Sequence, residues 1–293
     1  MHDFLRSIGF KNLRTKKQLN DLVDWVREKP DHLSVVSVSA ESNLAVAERE
    51  IAGHAGISVV GEIDERGTLV PEYYFPYITS TFISSEAHLS YEKQAAKDSY
   101  IGMCEDYRMG MALIFTIRNF ADIVRNETND FLQRPFTQVA LSMLCSDGTV
   151  LLPLLQAEKV LDTRHGGNEL EKRLFDDAAS GDPEALDKLT RQEMMRYKNV
   201  MDHIHDTDIF TMVSSFFMPH GMESDRYYLM GDIEAVNLYE NELTKEQFYR
   251  MKIRVNGMEM IIAINKEDLL GVPAPGNRIK CHGWLLGEMK KHA

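Results

Sequence analysis

Two histidines and two aspartates occur within six residues, at His203, His205, Asp206 and Asp208. Imidazole and carboxylate groups are common protein ligands of zinc and manganese. Residues two apart do not share a helix face, so His203 and His205 can bind one metal only if the helix has already ended. We expect a solvated helix end with Asp206 or Asp208 as a cap, and we keep a metal site as the alternative.

Basic residues recur in two predicted strands near the C-terminus. Together with one tryptophan, they are Arg250, Lys252, Arg254, Arg278, Lys280 and Trp284. Cationic and aromatic side chains together are typical of surfaces that bind single-stranded nucleic acid, with Phe248 and Tyr249 as further stacking groups. Residues 227–293 contain nine acidic and nine basic residues, however, whereas phosphate binding needs concentrated positive charge. Nucleic acid is therefore an alternative ligand.

The local motifs of common catalytic and cofactor sites are missing. No Gly-x-Gly-x-x-Gly, His-Glu-x-x-His or Gly-x-Ser-x-Gly pattern occurs. Residues 271–276 have the glycine spacing of a phosphate loop, but Asn277 and Arg278 stand where lysine and a hydroxyl residue are needed. Cys281 and His282 are adjacent on a predicted strand, so they point to opposite faces and form no catalytic pair.

These absences favour a non-catalytic function. The leading hypothesis is a protein-binding, scaffold or regulatory protein built from two β-rich units joined by helices. The second is binding of single-stranded nucleic acid by the C-terminal unit. The third is an enzyme, metal-dependent in one version, whose site is assembled from residues distant in the sequence. We expect a protein partner, no membrane and no cofactor, and we leave the oligomeric state open.

The composition is that of a folded protein, with 44% hydrophobic and 27% charged residues. The longest apolar runs are far shorter than the roughly 18 residues that span a bilayer, and the first ten residues lack a secretion-signal pattern. A net charge of -12 disfavours anionic membranes and nucleic acids as partners. Cys104, Cys145 and Cys281 form no Cys-x-x-Cys pair. We therefore expect a cytoplasmic protein with reduced thiols.

Short sequence signals predict a helix start and two turns. Thr15 and Gln18 fit a capping box, followed by apolar residues at helical spacing. Asp147-Gly148 and Asn256-Gly257 each lie between two apolar runs. Both pairs predict tight β-hairpins, because these residue types tolerate the positive φ that such turns need.

The order of predicted elements indicates an α+β fold in three parts. Residues 1–160 are expected to form an antiparallel β-rich domain, and residues 161–206 a helical hairpin whose second helix begins at Asp182-Pro183. Residues 207–293 contain several strands, the last of them with glycines where a small barrel would bend. This pattern predicts a C-terminal unit like the oligonucleotide-binding (OB) barrel.

The densest aromatic cluster comprises Tyr73, Tyr74, Phe75 and Tyr77. Two prolines lie in the same segment, and proline cannot donate to a sheet ladder, so we expect an edge strand or an extended cover. An aromatic cluster beside a predicted sheet usually contributes core area, and nothing in the sequence supplies a cationic guest. We therefore expect burial rather than a ligand cage.

Several phrases of the sequence resemble those of one protein family. They are Tyr73-Tyr-Phe-Pro-Tyr77, Ser99-Tyr-Ile-Gly-Met-Cys-Glu-Asp106, Leu113-Ile-Phe-Thr-Ile-Arg-Asn119, Phe217-Met-Pro-His-Gly221 and Gly283-Trp-Leu-Leu-Gly287. The family they resemble is an uncharacterised one from clostridial Gram-positive bacteria, and the resemblance covers almost the whole chain. It implies a cytoplasmic housekeeping or regulatory protein, and it carries no activity, catalytic residue or cofactor that could be transferred.

Overall fold

The computed structural model describes residues 2–37, 43–94, 99–128, 134–153, 169–203, 215–221 and 225–292. The strands are β1 (His32–Ser37), β2 (Asn43–Ala52), β3 (Ala55–Ile63), β4 (Leu69–Ile78), β5 (His88–Lys93), β6 (Tyr100–Asp106), β7 (Met111–Ile117), β8 (Phe136–Leu151), β9 (Phe216–Pro219), β10 (Arg226–Glu240), β11 (Gln247–Val255), β12 (Met258–Asn265), β13 (Leu269–Leu270) and β14 (Arg278–Lys291). The α-helices are α1 (Lys16–Glu28), α2 (Phe120–Thr128), α3 (Glu169–Ala179) and α4 (Pro183–His203), and 3₁₀ helices cover Asp3–Ile8 and Lys266–Asp268. The described part of the chain is therefore mainly β, and the strands in it form two sheets.

The first sheet contains β1 to β4 in chain order, and every neighbouring pair is antiparallel. Apolar residues and glycines fill most of β3, which is buried along nearly its whole length. The antiparallel arrangement that the sequence predicts for this segment is confirmed.

Helix α1 begins at the predicted capping box. The Thr15 hydroxyl accepts a hydrogen bond from the Gln18 backbone N–H at 3.2 Å, and the Gln18 side-chain oxygen accepts one from the Thr15 N–H at 3.0 Å. Leu22 and Val26, one helical turn apart, are buried where α1 contacts β2, β3 and β4. The helix therefore covers one face of the first sheet.

The second sheet has ten strands in the order β13-β8-β12-β11-β10-β14-β7-β6-β5, with β9 beside β10. It is a mixed sheet, because β12 and β13 run parallel to β8 and β14 runs parallel to β7. The strands β8 and β14 also pair with each other, antiparallel, from Phe136 opposite Lys291 to Leu151 opposite Arg278.

The two predicted hairpins have opposite outcomes. Asn256-Gly257 joins β11 to β12 with φ values of 48° and 81°, so that prediction is confirmed. The prediction at Asp147-Gly148 is wrong, because β8 runs straight through both residues. Ser146 is the extra residue of a bulge there, and a Cβ on Gly148 would lie 3.0 Å from Ile264 Cδ1. The glycine permits close packing and does not form a turn.

A separate C-terminal barrel of the OB type is not what the structure shows. The strands β10, β11, β12 and β14 belong to the same sheet as β5 to β8, and β8 pairs with both β12 and β14. Strand β8, which pairs with both β12 and β14, lies outside residues 207–293. Its pairing with β12 is parallel, and local sequence patterns do not reveal such a pairing. The predicted boundaries at residues 160 and 206 lie outside the described residues, so the division into domains stays a prediction.

Arg118 links the two sheets. Its Nη1 lies 2.7 Å from Glu48 Oε1 on β2, and its Nη2 lies 3.4 Å from Glu288 Oε2 on β14. The guanidinium also lies over the Tyr77 ring, 4.9 Å from its centroid. One largely buried cation therefore holds acidic groups from both sheets.

The predicted helical hairpin is confirmed. Pro183 is the first residue of α4, and the Asp182 carboxylate accepts a hydrogen bond from the Glu184 N–H at 2.9 Å, as a cap does. The two helices pack against each other. Among the described helices, none combines the length and the apolar character that a membrane crossing requires.

Candidate functional site

Two of the basic residues proposed for nucleic acid form ion pairs. Lys252 Nζ lies 2.9 Å from Glu234 Oε2 and 2.7 Å from Glu259 Oε2. Arg254 Nη2 lies 2.5 Å and 2.9 Å from oxygens of the same two glutamates. The positive charge on this part of β11 is therefore balanced by carboxylates on β10 and β12.

Of the other three basic residues, one is buried and two are half-buried, and two of the three donate hydrogen bonds to backbone carbonyls. Arg278 is 5% exposed, and its Nε donates to the Leu152 carbonyl at 3.1 Å. Arg250 is half-buried and donates to the Thr79 carbonyl at 3.3 Å, while Lys280 is half-buried on β14. With Trp284 also buried, the six residues do not form one exposed basic face. Nucleic-acid binding through them stays a prediction.

The proposed metal cluster lies mostly outside the described residues. His205, Asp206 and Asp208 are not described, and His203 is the last residue of α4. Within the ranges that the structure describes, no three histidine, cysteine, aspartate or glutamate side chains come together as a metal site would need. The metal site also stays a prediction.

Trp284 belongs to an aromatic cluster between the two sheets. It is 7% exposed and stacks on Phe4, with ring centroids 5.9 Å apart. The His2 ring lies 4.7 Å away, and Phe75 meets the indole edge-on at 6.4 Å. The expected burial of the 73–77 cluster is confirmed for Phe75 and Tyr77, whereas Tyr73 and Tyr74 are only half-buried.

A cavity of about 290 Å³, hereafter the aromatic pocket, lies beside Trp284. Its walls come from distant parts of the chain, including the N-terminal 3₁₀ helix, β4, β7, α2, the start of β10 and β14. The benzene and indole rings that line it are Phe4, Tyr73, Tyr74, Phe75, Phe120 and Trp284. The remaining lining includes a few polar groups, of which one is a carboxylate.

That carboxylate is Asp225, and its orientation is fixed by two hydrogen bonds. The Trp284 indole Nε1–H donates to Asp225 Oδ2 at 2.6 Å, and the Thr116 hydroxyl donates to the same oxygen at 2.7 Å. No described residue donates to Oδ1. Asp225 therefore offers one unused acceptor beside the aromatic rings. It belongs to no recognisable motif, so no sequence signal identifies it.

The other charged lining residue, Arg226, already has partners. Its guanidinium lies over the Phe4 ring, 5.4 Å from the centroid, and its Nη2 is 3.6 Å from Asp3 Oδ2. The Tyr74 hydroxyl accepts a hydrogen bond from the His2 N–H at 3.0 Å, which ties the N-terminal segment to β4. Burial raises the pKa of Tyr74, and the bond from His2 only partly opposes this, so the phenol stays neutral.

A second group of polar side chains lies on the same face of β14, two residues before Trp284. His282 Nδ1 is 3.2 Å from the Ser146 hydroxyl, which lies 2.7 Å from Asp147 Oδ2. The His282 ring packs against Tyr228 and His220, with centroids 4.6 Å and 4.8 Å away.

The His282 imidazole is held neutral. Burial lowers its pKa, and the charges of His220 and Arg226 lower it further, outweighing the opposite effect of Asp147. Its Nε2 is buried without a hydrogen-bond partner in the described protein. A neutral imidazole near a hydroxyl can act as a general base. Catalytic triads, however, have the carboxylate and the hydroxyl on opposite ring nitrogens, whereas here both lie near Nδ1.

The adjacent cysteine lies on the other face of β14, as the strand pattern predicts. Cys281 Sγ is 3.5 Å from Cys145 Sγ, and both side chains are buried. Burial raises the pKa of Cys145 well above its usual value, and hydrogen bonding with Cys281 adds to this shift. The Cys145 thiol is therefore a poor nucleophile, and both buried side chains contribute to packing.

Comparison with protein-family models gives a match to the family described as "Domain of unknown function, E. rectale Gene description (DUF3881)", over residues 5–287. No curated protein and no solved structure matches the chain. The matched range includes Tyr73, Thr116, Asp225 and Trp284 of the aromatic pocket.

Proposed function

The chain belongs to the DUF3881 family, and from that premise we propose that it is a non-catalytic protein-binding protein whose partner inserts one side chain into the aromatic pocket. The observation that carries this proposal is the pocket itself, whose lining combines aromatic rings from both sheets with a carboxylate that has an unused oxygen. Convergent aromatic walls with a few placed polar groups are the usual composition of a binding site.

The size of the pocket suits a small inserted group rather than a large cofactor. Sites for small molecules usually measure roughly 300 to 1,000 Å³, and this pocket is at or below the lower limit. A single large side chain is the matching occupant. Protein interfaces often take most of their binding energy from such an anchor, seated in a pocket and surrounded by weaker contacts.

The experiment is a comparison of partner capture by matched tryptophan variants. Gln94 is an exposed residue that lines the pocket, so Gln94→Trp adds a large ring to the lining; it also removes the oxygen that accepts a hydrogen bond from the Ser99 hydroxyl at 2.5 Å. Ser90→Trp adds the same ring at an exposed position of β5 that does not line the pocket. Immobilised wild type and Ser90→Trp should retain a stoichiometric protein from a lysate of the source organism, and Gln94→Trp should not.

The comparison of the two variants makes this test specific. Equal retention by wild type and both variants would place any interaction outside the pocket and would refute the proposal. Circular dichroism of each variant establishes beforehand that the fold is intact.

A second candidate function is hydrolysis by a serine–histidine pair that lacks the arrangement of a triad, and the contact of Ser146 with His282 is the observation behind it. Its site is assembled from residues distant in the sequence, as the enzyme hypothesis requires. A fluorophosphonate probe tests it, because such probes label activated serines. Labelling that disappears in Ser146→Ala but persists in Ser90→Ala would support hydrolysis. The binding proposal predicts no labelling of the wild type.

A further inference from the structure

We propose that the group accepted by the aromatic pocket is an ammonium, such as that of a lysine side chain. This inference rests on the proposed binding function and adds the chemical class of the occupant. It follows from the position of one carboxylate oxygen, from the surrounding rings and from the partners of Arg226.

The first step is the carboxylate. Asp225 is half-buried in the lining of a pocket rich in aromatic side chains, where a charge is less well hydrated than on the open surface. Its Oδ2 is stabilised by Trp284 and Thr116, but both donors are neutral. The guanidinium of Arg226, which also lines the pocket, is engaged by Phe4 and Asp3. A cation from outside would supply the missing counter-charge.

The second step is the aromatic lining. The faces of tryptophan, tyrosine and phenylalanine rings attract cations, and several such rings around one site form a cage for an ammonium group. Tyr73 and Phe75 of β4 stack with centroids 6.3 Å apart, and Phe75 meets Trp284 of β14 edge-on, so ring faces from both sheets line the pocket. Arg226 over Phe4 shows that a ring of this lining already holds a cation.

The third step separates an ammonium from a guanidinium. Guanidinium groups bind carboxylates best through two parallel hydrogen bonds, one to each oxygen. Asp225 Oδ2 already accepts from both Trp284 and Thr116, so only Oδ1 remains. An ammonium is a compact charge that binds well to one oxygen. The geometry therefore favours lysine over arginine.

The test uses three probes of similar size and different charge: n-butylammonium, 1-butanol and butyrate. The chain contains two tryptophans, and the Trp284 indole N–H donates to Asp225, so its NMR signal reports on the carboxylate. A Trp25→Phe variant assigns this signal in the full-length protein. We expect a saturable shift of the Trp284 signal with n-butylammonium, at least about tenfold weaker binding of 1-butanol, and no effect of butyrate.

Two variants with the same change in net charge test whether Asp225 itself attracts the n-butylammonium. Asp225→Asn should weaken n-butylammonium binding by about tenfold or more, because it removes the charge and keeps the shape. Asp21→Asn, at an exposed position on α1 that does not line this pocket, makes the same change in net charge and should leave the affinity unchanged.

The outcomes distinguish the ammonium inference from the proposed protein-binding function on which it rests. If 1-butanol binds as well as n-butylammonium, or if no probe moves the Trp284 signal, an ammonium site is refuted. The capture experiment still decides the binding function, because Gln94→Trp blocks any occupant. If Gln94→Trp retains the partner as well as wild type does, the proposed binding function is refuted, whatever the three probes show.

Discussion

Asp106 illustrates how one buried side chain can organise its surroundings. It is 2% exposed, and its oxygens accept hydrogen bonds from Arg108 Nε at 2.9 Å, from Arg108 Nη2 at 2.6 Å and from the Ser85 hydroxyl at 2.5 Å. Arg108 also donates to the Ser84 and Gly257 carbonyls, which ties the end of β6 to the β11–β12 turn. The pair therefore joins three separate segments.

Removing Asp106 should be costly. Asp106→Ala leaves the Arg108 guanidinium partly buried without its counter-charge, and the expected loss is about 3 to 5 kcal/mol in the free energy of unfolding. Urea denaturation followed by circular dichroism measures it. Glu105→Ala, at the exposed neighbouring position, is the control and should change stability by less than about 0.5 kcal/mol.

The same residue predicts a pH dependence. Burial alone would raise the pKa of Asp106, but the hydrogen bonds from Arg108 and Ser85 and the charge of Arg108 outweigh it, so the pKa lies below its usual value. The stability contributed by the ionised group is therefore present above about pH 4 and is lost as the pH falls through the lowered pKa. Asp106→Asn should lose less stability than wild type between pH 5 and pH 2. An identical loss in both proteins would show that Asp106 does not contribute.

At the scale of elements, the capping box of α1 allows a direct test of how much one helix cap contributes to the stability of the protein. Thr15→Ala removes the acceptor for the Gln18 N–H and should lower the free energy of unfolding by about 1 kcal/mol. Thr15→Ser keeps the hydroxyl and should remain close to wild type. Thermal or urea unfolding of the three proteins measures the difference, and equal losses in the two variants would contradict the role of the hydroxyl.

Local signals predicted elements correctly where their hydrogen bonds stay local. Thr15 and Gln18 are three residues apart, and Asn256-Gly257 forms its turn within β11 and β12. Asp147-Gly148 has the same type of signal, but its neighbours are Ile264 and Cys281, more than 100 residues away in sequence. Long-range pairing overrides turn preference there, and no local pattern shows it.

At the scale of the whole molecule, β8 joins the two ends of the chain. It pairs with β14 along nearly its full length and runs parallel to β12. The sequence predicted both β-rich halves but not their common sheet, because parallel and distant pairings leave no spacing pattern. The aromatic pocket was unpredictable for the same reason, since Tyr73, Thr116, Asp225 and Trp284 meet only after both sheets have formed.

The shared sheet predicts how fragments behave. Residues 207–293 expressed alone lack β8 and β7, so β12 keeps only β11 as a partner, and β14 keeps only β10 and loses its long pairing with β8. We expect this fragment to show no cooperative urea transition, while the full chain does. A cooperative transition for the isolated fragment would instead support the predicted boundary at residue 206.

Displacement of the captured partner tests the central claim, that one cationic side chain of a partner protein anchors in the aromatic pocket. Wild-type protein carrying the partner is washed with n-butylammonium chloride, with 1-butanol or with sodium chloride at equal concentration, and the retained partner is quantified. We predict that n-butylammonium releases the partner at concentrations where the other two solutions do not. Equal retention in all three washes would contradict the account.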